Sequence, residues 1–138
     1  MPTRPRVLQF DVSVDRDRVA ASALGGSVIQ PEAEWWAEHL VLAGLLRCTL
    51  TSLDYSARRA RLSATGSGKA HGKVTKREED GLYAFVEIEM SFDIEIEPAL
   101  GREGTKELIA HTERGCFVSN SLTATPRHHW IVNGEEFA

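Results

Sequence analysis

The sequence predicts an α+β domain in which antiparallel sheet packs on a long central helix and a second helix. Three features carry that prediction. Apolar residues alternate with polar ones over 82–96. Leucine and alanine crowd a stretch without internal proline from Pro31 to about Arg61. The predicted elements run strands, long helix, strands, helices, strand. With 138 residues, 42% of them hydrophobic, the chain has apolar material for one sizeable core and too little for two. Residues 1–138 are therefore expected to form a single domain.

The opening run VLQFDVSV over 7–14 alternates apolar and polar residues, a charged turn follows at 15–17, and 19–24 is again compatible with a strand. This pattern makes a hairpin. Gly25 and Gly26 end it, and 27–30 is either a further short strand or an irregular connection before Pro31. The helix that follows is apolar nearly all round in its middle, through Leu40, Leu42, Ala43, Leu45, Leu46, Leu50 and Leu53. A helix of that kind belongs in the centre of a domain, covered by other elements. Arg58, Arg59 and Arg61 fall near its C-terminus, where positive charge complements the helix dipole.

The clearest strand signal comes next. Leu82, Ala84, Val86, Ile88, Met90, Phe92, Ile94 and Ile96 share one face, and Glu87, Glu89, Ser91, Asp93, Glu95 and Glu97 share the other. One side is core and the other wet. Upstream, Lys69, His71, Lys73, Thr75 and Arg77 share a parity, and 79–81 (Glu-Asp-Gly) reads as a three-residue hairpin loop with Gly81 in the left-handed region. That loop pairs residue 78 with 82 and sets Lys73 opposite Glu87 and His71 opposite Glu89. Such cross-strand charge pairs on a solvated face contribute about 0.2–1 kcal/mol each. Beyond Pro98, 102–114 predicts a helix ended by Gly115. Cys116 opens a short helical turn running to Leu122, Pro126 stops it, and HHWIVN over 128–133 forms a closing strand with Gly134 in a turn.

A net charge of -4 and a pI near 5.7 argue against a nucleic-acid surface, so small molecules or proteins are the expected partners. The N-terminal residues lack a long apolar run, and the most apolar stretch is interrupted by Arg47, short of the roughly 20 residues a membrane span needs. A soluble cytoplasmic protein, with no membrane association, is expected. Two cysteines do not make a disulfide scaffold, and in a reducing compartment a bond between them is transient. Neither has metal-finger spacing, and nothing in the spacing selects a zinc site from Cys116, His111 and His128; no metal or cofactor is expected.

Cys48 lies within LVLAGLLRCTL at 40–50, where a cysteine ordinarily serves as a small hydrophobe. Three features favour thiol chemistry instead. Cys116 is placed at a helix N-terminus, where backbone N–H groups and the dipole favour a thiolate. Arg47 interrupts an apolar helix and needs a partner or an opening to solvent. Both helices are expected on the same sheet face, which allows the two cysteines to meet.

These residues also carry a family resemblance. EHLVLAGLLRC over 38–48 resembles the first conserved block of the OsmC/Ohr family, the osmotically inducible and organic-hydroperoxide-resistance proteins, where a glutamate precedes the reactive cysteine by ten positions. CFVSNSL over 116–122 is similar to the family's second-cysteine block, with Phe117 where a proline usually stands. The resemblance implies an intertwined α+β homodimer with two sites at the subunit interface. It further implies a thiol-dependent peroxidase acting on organic hydroperoxides, with Cys48 peroxidatic and Cys116 resolving. A dithiol, in relatives often a lipoylated protein, then reduces the disulfide. An arginine of the N-terminal hairpin, held by Glu38, would stabilise the Cys48 thiolate and polarise the peroxide; Arg16 is the first match and Arg18 the alternative. Trp35, Trp36 and Phe117 line the apolar pocket on this reading, or belong to core or dimer interface. The chain departs from the pattern in three respects. Ala37 replaces the usual proline before the glutamate, the glycine-rich arginine motif is absent, and so is the insertion that follows it. On an unbroken helix, Glu38 and Cys48 stand about 15 Å apart along the axis and roughly 80° apart around it. The alternative function is a non-catalytic binding protein whose interface cavity takes a small apolar or thiol-reactive ligand.

Overall fold

The computed structural model describes residues 4–31 and 34–138. The chain divides into two compact units, Met1–Ala37 and Glu38–Ala138.

The first unit contains the expected hairpin in shortened form. Strands β1 (Val12–Val14) and β2 (Ala20–Ser22) pair antiparallel, with Ser13 opposite Ala21. The Asp15 carboxylate organises the turn by accepting from the backbone N–H groups of Asp17 (2.9 Å) and Val19 (3.0 Å). Arg18 adopts φ 68, a left-handed conformation unusual for a residue with a β-carbon. The 27–30 segment contributes one bridge, Ile29 to Ala20. Leu8, Phe10, Val12 and Val14 form the apolar parity predicted from sequence, yet they stay exposed, Phe10 at 79%.

In the second unit, helix α1 (Ala37–Arg59) is followed by β3 (Ser63–Lys76), β4 (Tyr83–Glu97), α2 (Arg102–Arg114), α3 (Phe117–Asn120), β5 (Arg127–Val132) and β6 (Glu135–Phe137). The expected start of the long helix just after Pro31 falls partly on 32 and 33, outside the described residues; the helix is formed from Ala37. The strands make one sheet in the order β3-β4-β5-β6. Its outer pairs are antiparallel, as expected, while β4 and β5 run parallel. The reason is the long connection through α2 and α3, which returns the chain to the end of the sheet from which β4 set out. A strand missed in sequence, β6, follows a two-residue Asn133-Gly134 turn in which both residues have positive φ (50° and 81°). Asn-Gly between apolar runs is a strong hairpin signal, and it was legible.

The β3-β4 register reproduces the predicted pairs, Lys73 opposite Glu87 and His71 opposite Glu89, by a different route. At the turn the pairing is one residue tighter than expected, Lys76 opposite Tyr83, and Gly81 is left-handed at φ 71. A bulge between Lys73 and Val74 leaves Val86 as the extra residue of β4 and restores the predicted register beyond it. Glu89 takes its ion pair from the other neighbour, Arg127 of β5, at 2.8 Å. Both partners are exposed, so the pair is worth at most about 1 kcal/mol.

The inner face of β4 supplies Ile88, Met90, Phe92, Ile94 and Ile96, all buried. Trp130 of β5 lies against Phe92, ring centroids 4.4 Å apart and planes 20° apart. One stripe of α1 (Leu45, Thr49, Ser52, Leu53, Ala57) and one of α2 (Thr105, Leu108, Ile109, Thr112) complete the core. The expectation that α1 is covered all round does not hold within the chain: Leu40 and Val41 remain exposed and Arg47 opens to solvent.

On the inner side of β3 the even positions are small: Ala64, Gly66, Gly68, Ala70 and Gly72. A β-carbon on Gly68 would sit 2.7 Å from the Phe92 ring and 3.3 Å from Leu46 of α1, and one on Gly66 only 2.3 Å from the Asp93 carbonyl oxygen. The bare strand admits the Phe92 ring and the helix above it. Gly68→Ala is expected to lower stability by about 1–3 kcal/mol through overpacking, and Gly66→Ala by at least as much because its obstacle is backbone. Outward-facing Ser67→Ala is expected to stay within about 0.5 kcal/mol of the parent. Urea unfolding midpoints check all three.

Candidate functional site

Cys48 sits on α1 next to the buried stripe, half-buried itself, while Cys116 is fully buried and occupies the N-cap of α3. Both are free thiols. The Cys48 thiol is acted on by the Cys116 thiol and by the backbone N–H groups of Val118 and Phe117. The first turn after Cys116 thus directs its amides at Cys48.

The segment carrying Cys116 is tied to α1 by side chains on the same face as the buried stripe. Ser52 Oγ donates to the Thr112 carbonyl at 2.7 Å. Thr49 Oγ1 donates to the Leu45 carbonyl one turn back at 2.9 Å and lies 3.4 Å from the Cys116 sulfur. Gly115, expected just beyond the helix C-terminus, stands there with φ -84 rather than in the left-handed region. Its glycine character serves close approach instead: a β-carbon there would stand 2.7 Å from Ser52 Oγ. The Cys116 N–H reaches the Glu113 carbonyl at 3.4 Å, and Cys116 O accepts from Asn120 N–H at 3.0 Å. These contacts fix the Cys116 segment against α1.

Burial pushes the Cys48 thiol above its ordinary value, and the neighbouring Cys116 thiol pushes the same way; the Val118 and Phe117 amides pull it down without winning. The groups acting on the sulfur are thiol and backbone, with no cation among the described residues.

The other predicted site residues are placed as follows. Glu38 stands in the first turn of α1, exposed, ten residues before Cys48 on one continuous helix. Helical geometry separates the two by about 15 Å within the chain. Arg16 and Arg18 lie on the exposed tip of the β1-β2 hairpin, in the first unit. Phe117, Trp35 and Trp36 are exposed, at 61%, 50% and 68%, so none is core. Two residues absent from the sequence reading, Thr49 and Ser52, prove to join the thiols' two segments. Their only signal was polarity at core spacing on an apolar helix.

Among the described residues no three His, Cys, Asp or Glu side chains converge to hold a metal, and no helix is long and apolar enough to cross a membrane. His128 instead points Nδ1 at Glu113, 3.4 Å away. A separate open cleft of about 250 Å³ lies between α2 and the C-terminus, lined by Arg102, Lys106, Ile109, Glu113 and Phe137.

Comparison with known proteins agrees with this architecture. The OsmC-like protein family model matches residues 32–130. No curated protein matches the sequence. Solved structures do. An OsmC-like protein from Mycoplasma pneumoniae superposes with a TM-score of 0.73 at 15% identity, over 94% of this chain and 99% of that one. An OsmC-like protein of unknown function from Vibrio cholerae gives 0.76 at 12% identity, over 91% and 100%. An organic hydroperoxide resistance protein from Elizabethkingia anophelis, with thiocyanate bound, gives 0.68 at 16% identity, over 96% and 100%. A shared α+β fold, long helix included, defines the class. The chain belongs to the OsmC-like protein family.

The environment of Cys48 yields a direct expectation. Alkylation of Cys48 by iodoacetamide, followed by mass spectrometry across pH, is expected to show a midpoint above the ordinary thiol value. Cys116→Ala removes a neighbour that raises it and is expected to move the midpoint down.

Proposed function

We propose that the protein is a thiol-dependent peroxidase of organic hydroperoxides, in which Cys48 is the peroxidatic and Cys116 the resolving thiol. The observation that carries this reading is the meeting of the half-buried Cys48 sulfur with the Cys116 sulfur under two backbone amides. The Cys48 thiolate attacks the terminal oxygen of ROOH; the O–O bond breaks, ROH leaves with a proton, and Cys48 becomes a sulfenic acid. The Cys116 thiol attacks that sulfur, the S–O bond breaks, and water departs as the disulfide forms. A dithiol reductant, of the lipoyl type, restores both thiols and is itself oxidised to a disulfide. The Val118 and Phe117 amides stabilise anionic sulfur during the first step.

The first step also calls for a cation, and the hairpin arginines Arg16 or Arg18 are proposed to supply it, with Glu38 holding the guanidinium. Because Glu38 lies nearly three turns from Cys48 on the same helix, the arrangement is proposed to form across a homodimer. The exposed apolar parity of β1 and the exposed Leu40 and Val41 of α1 support a second copy as their cover. Residues 1–138 act on this reading as one domain of a cytoplasmic enzyme.

A second reading has its own support. A Cys48 thiol held above its ordinary value is a poor peroxide nucleophile, which favours a non-catalytic binding protein for a small apolar or thiol-reactive ligand.

Turnover with cumene hydroperoxide separates the two. Cys48→Ser is expected to abolish it. Cys116→Ser is expected to consume one equivalent and stop with Cys48 trapped as an oxidised, dimedone-reactive sulfur. Arg16→Ala is expected to lower kcat/KM on the order of a hundredfold, and an unaffected Arg16→Ala with a crippled Arg18→Ala reassigns the role to Arg18. Activity surviving Cys48→Ser would sink the peroxidase reading.

Light scattering tests the assembly. The parent is expected at twice the 15.3 kDa chain mass. Val12→Glu, which puts a charge into the apolar parity of β1, is expected to shift it toward the single-chain mass.

A further inference from the structure

The hydroxyl of Thr49 is fully buried, next in sequence to Cys48, and lies 3.4 Å from the Cys116 sulfur. A hydroxyl has one proton, and in this structure it is committed to the Leu45 carbonyl at 2.9 Å. Toward sulfur, Thr49 Oγ1 therefore offers a lone pair and accepts from the Cys116 S–H. The Leu45 carbonyl lies inside α1, where it also receives the backbone N–H of residue 49 in the regular ladder, so it does not depend on the Thr49 side chain. The side-chain bond can be given up without orphaning that carbonyl. Cys116 has no such reserve: it is 0% exposed, and a thiolate there has no water to solvate it.

We propose that Thr49 is a positioning residue for the closure of the Cys48–Cys116 disulfide, accepting from Cys116 S–H in the resting site and turning its hydroxyl to donate to the Cys116 sulfur as that sulfur becomes the nucleophile. The inference rests on the reading of the two cysteines as a redox couple, and it concerns the second thiol rather than the peroxidatic one. A charge-assisted O–H···S bond forms only in the ionised, attacking state, so it favours closure over rest. Other titratable groups near Cys116 are few. From α1 there is Cys48 itself; from the end of α2 there is Glu113, whose carboxyl turns to His128 Nδ1 of β5 at 3.4 Å; Arg114 is exposed, and the residues of α3 carry no ionisable side chain.

The test needs no hydroperoxide. Dithiobis(nitrobenzoate) reacts with the half-exposed Cys48, forming a mixed disulfide and releasing one thionitrobenzoate. Cys116 then attacks the Cys48 sulfur, the mixed S–S bond breaks, and a second thionitrobenzoate leaves as Cys116 gives up its proton to solvent. The rate of the second release reads closure alone. Thr49→Val is expected to slow it on the order of tenfold and to move its pH midpoint upward, while the first release keeps its rate. Thr49→Ser, which restores the hydroxyl, is expected to recover the parent's rate and midpoint. Thr49→Ala repeats the comparison in case valine disturbs packing, with the first release and the circular dichroism spectrum as controls for folding. Closure at the parent's rate in Thr49→Val, or a Thr49→Ser as slow as Thr49→Val, overturns the proposal, as does a parent protein that never releases the second equivalent. A protein inert to cumene hydroperoxide but closing with this dependence on Thr49 would reject the peroxidase reading and leave this inference standing.

Discussion

The contact on which the candidate site depends is the seam between α1 and the chain from Thr112 to Val118. Thr49, Thr112 and Cys116 are fully buried there, in a core that is otherwise aliphatic and aromatic. Polar groups so placed are stabilising only when each finds a partner, and here they do: Ser52 bonds Thr112 O, Thr112 Oγ1 bonds Leu108 O, and Thr49 bonds Leu45 O and meets Cys116. Apolar contact alone would tolerate sliding of one helix on another. A directed bond does not, and the Ser52–Thr112 bond at 2.7 Å, with the Thr49–Cys116 contact at 3.4 Å beside it, sets the α2 terminus at one height on α1. Gly115 makes that height attainable, since any side chain there would collide with Ser52 Oγ.

The sheet beneath supplies the rest of the constraint. The bare inner face of β3 lets Phe92 and Leu46 come close, and Phe92 in turn stacks on Trp130. The parallel pairing of β4 with β5 requires the crossover that contains α2 and α3, so Cys116 reaches α1 as a consequence of the strand order. Asn133 locks the far end, exchanging two side-chain hydrogen bonds with the backbone of Ile96 at 2.8 and 3.1 Å.

Much of this was readable from residue order. The bounds of α2, the core face of β4 from Ile88 to Ile96 and the charge pairs of the β3-β4 hairpin followed from periodicity, because one buried face permits one register; Leu82, expected on the same face, is exposed. The bulge at Lys73/Val74 was hidden, since a one-residue tightening at the turn and a one-residue bulge cancel in the pattern. Parallel pairing was hidden because alternation reports which face is buried and nothing about strand direction. The glycine parity of β3 was visible as small residues at even positions, but its meaning depends on which ring lies opposite. For the site, the two cysteine blocks were recognisable and their closeness was an expectation from packing. The roles of Thr49 and Ser52 were not legible, because a polar residue on a helix reads as surface until the tertiary fold buries it. The apolar parity of β1 was read as a hairpin strand, and its exposure on both sides of the pairing was not part of that reading.

The electrostatics of Cys48 bear on how such a site would be switched on. Desolvation and the second thiol outweigh two backbone amides, so the sulfur favours its protonated form. Arg47, adjacent in sequence, points about 100° away around α1 and stays in solvent. A positive charge beside Cys48 must then be delivered by an element outside the seam. Under the peroxidase reading that element is the hairpin tip carrying Arg16 and Arg18, and the partner's tip is the copy that a dimer would bring. Thiolate formation would then be coupled to assembly: an isolated chain holds Cys48 where burial disfavours its anion, and association would supply the charge that turns it into a nucleophile.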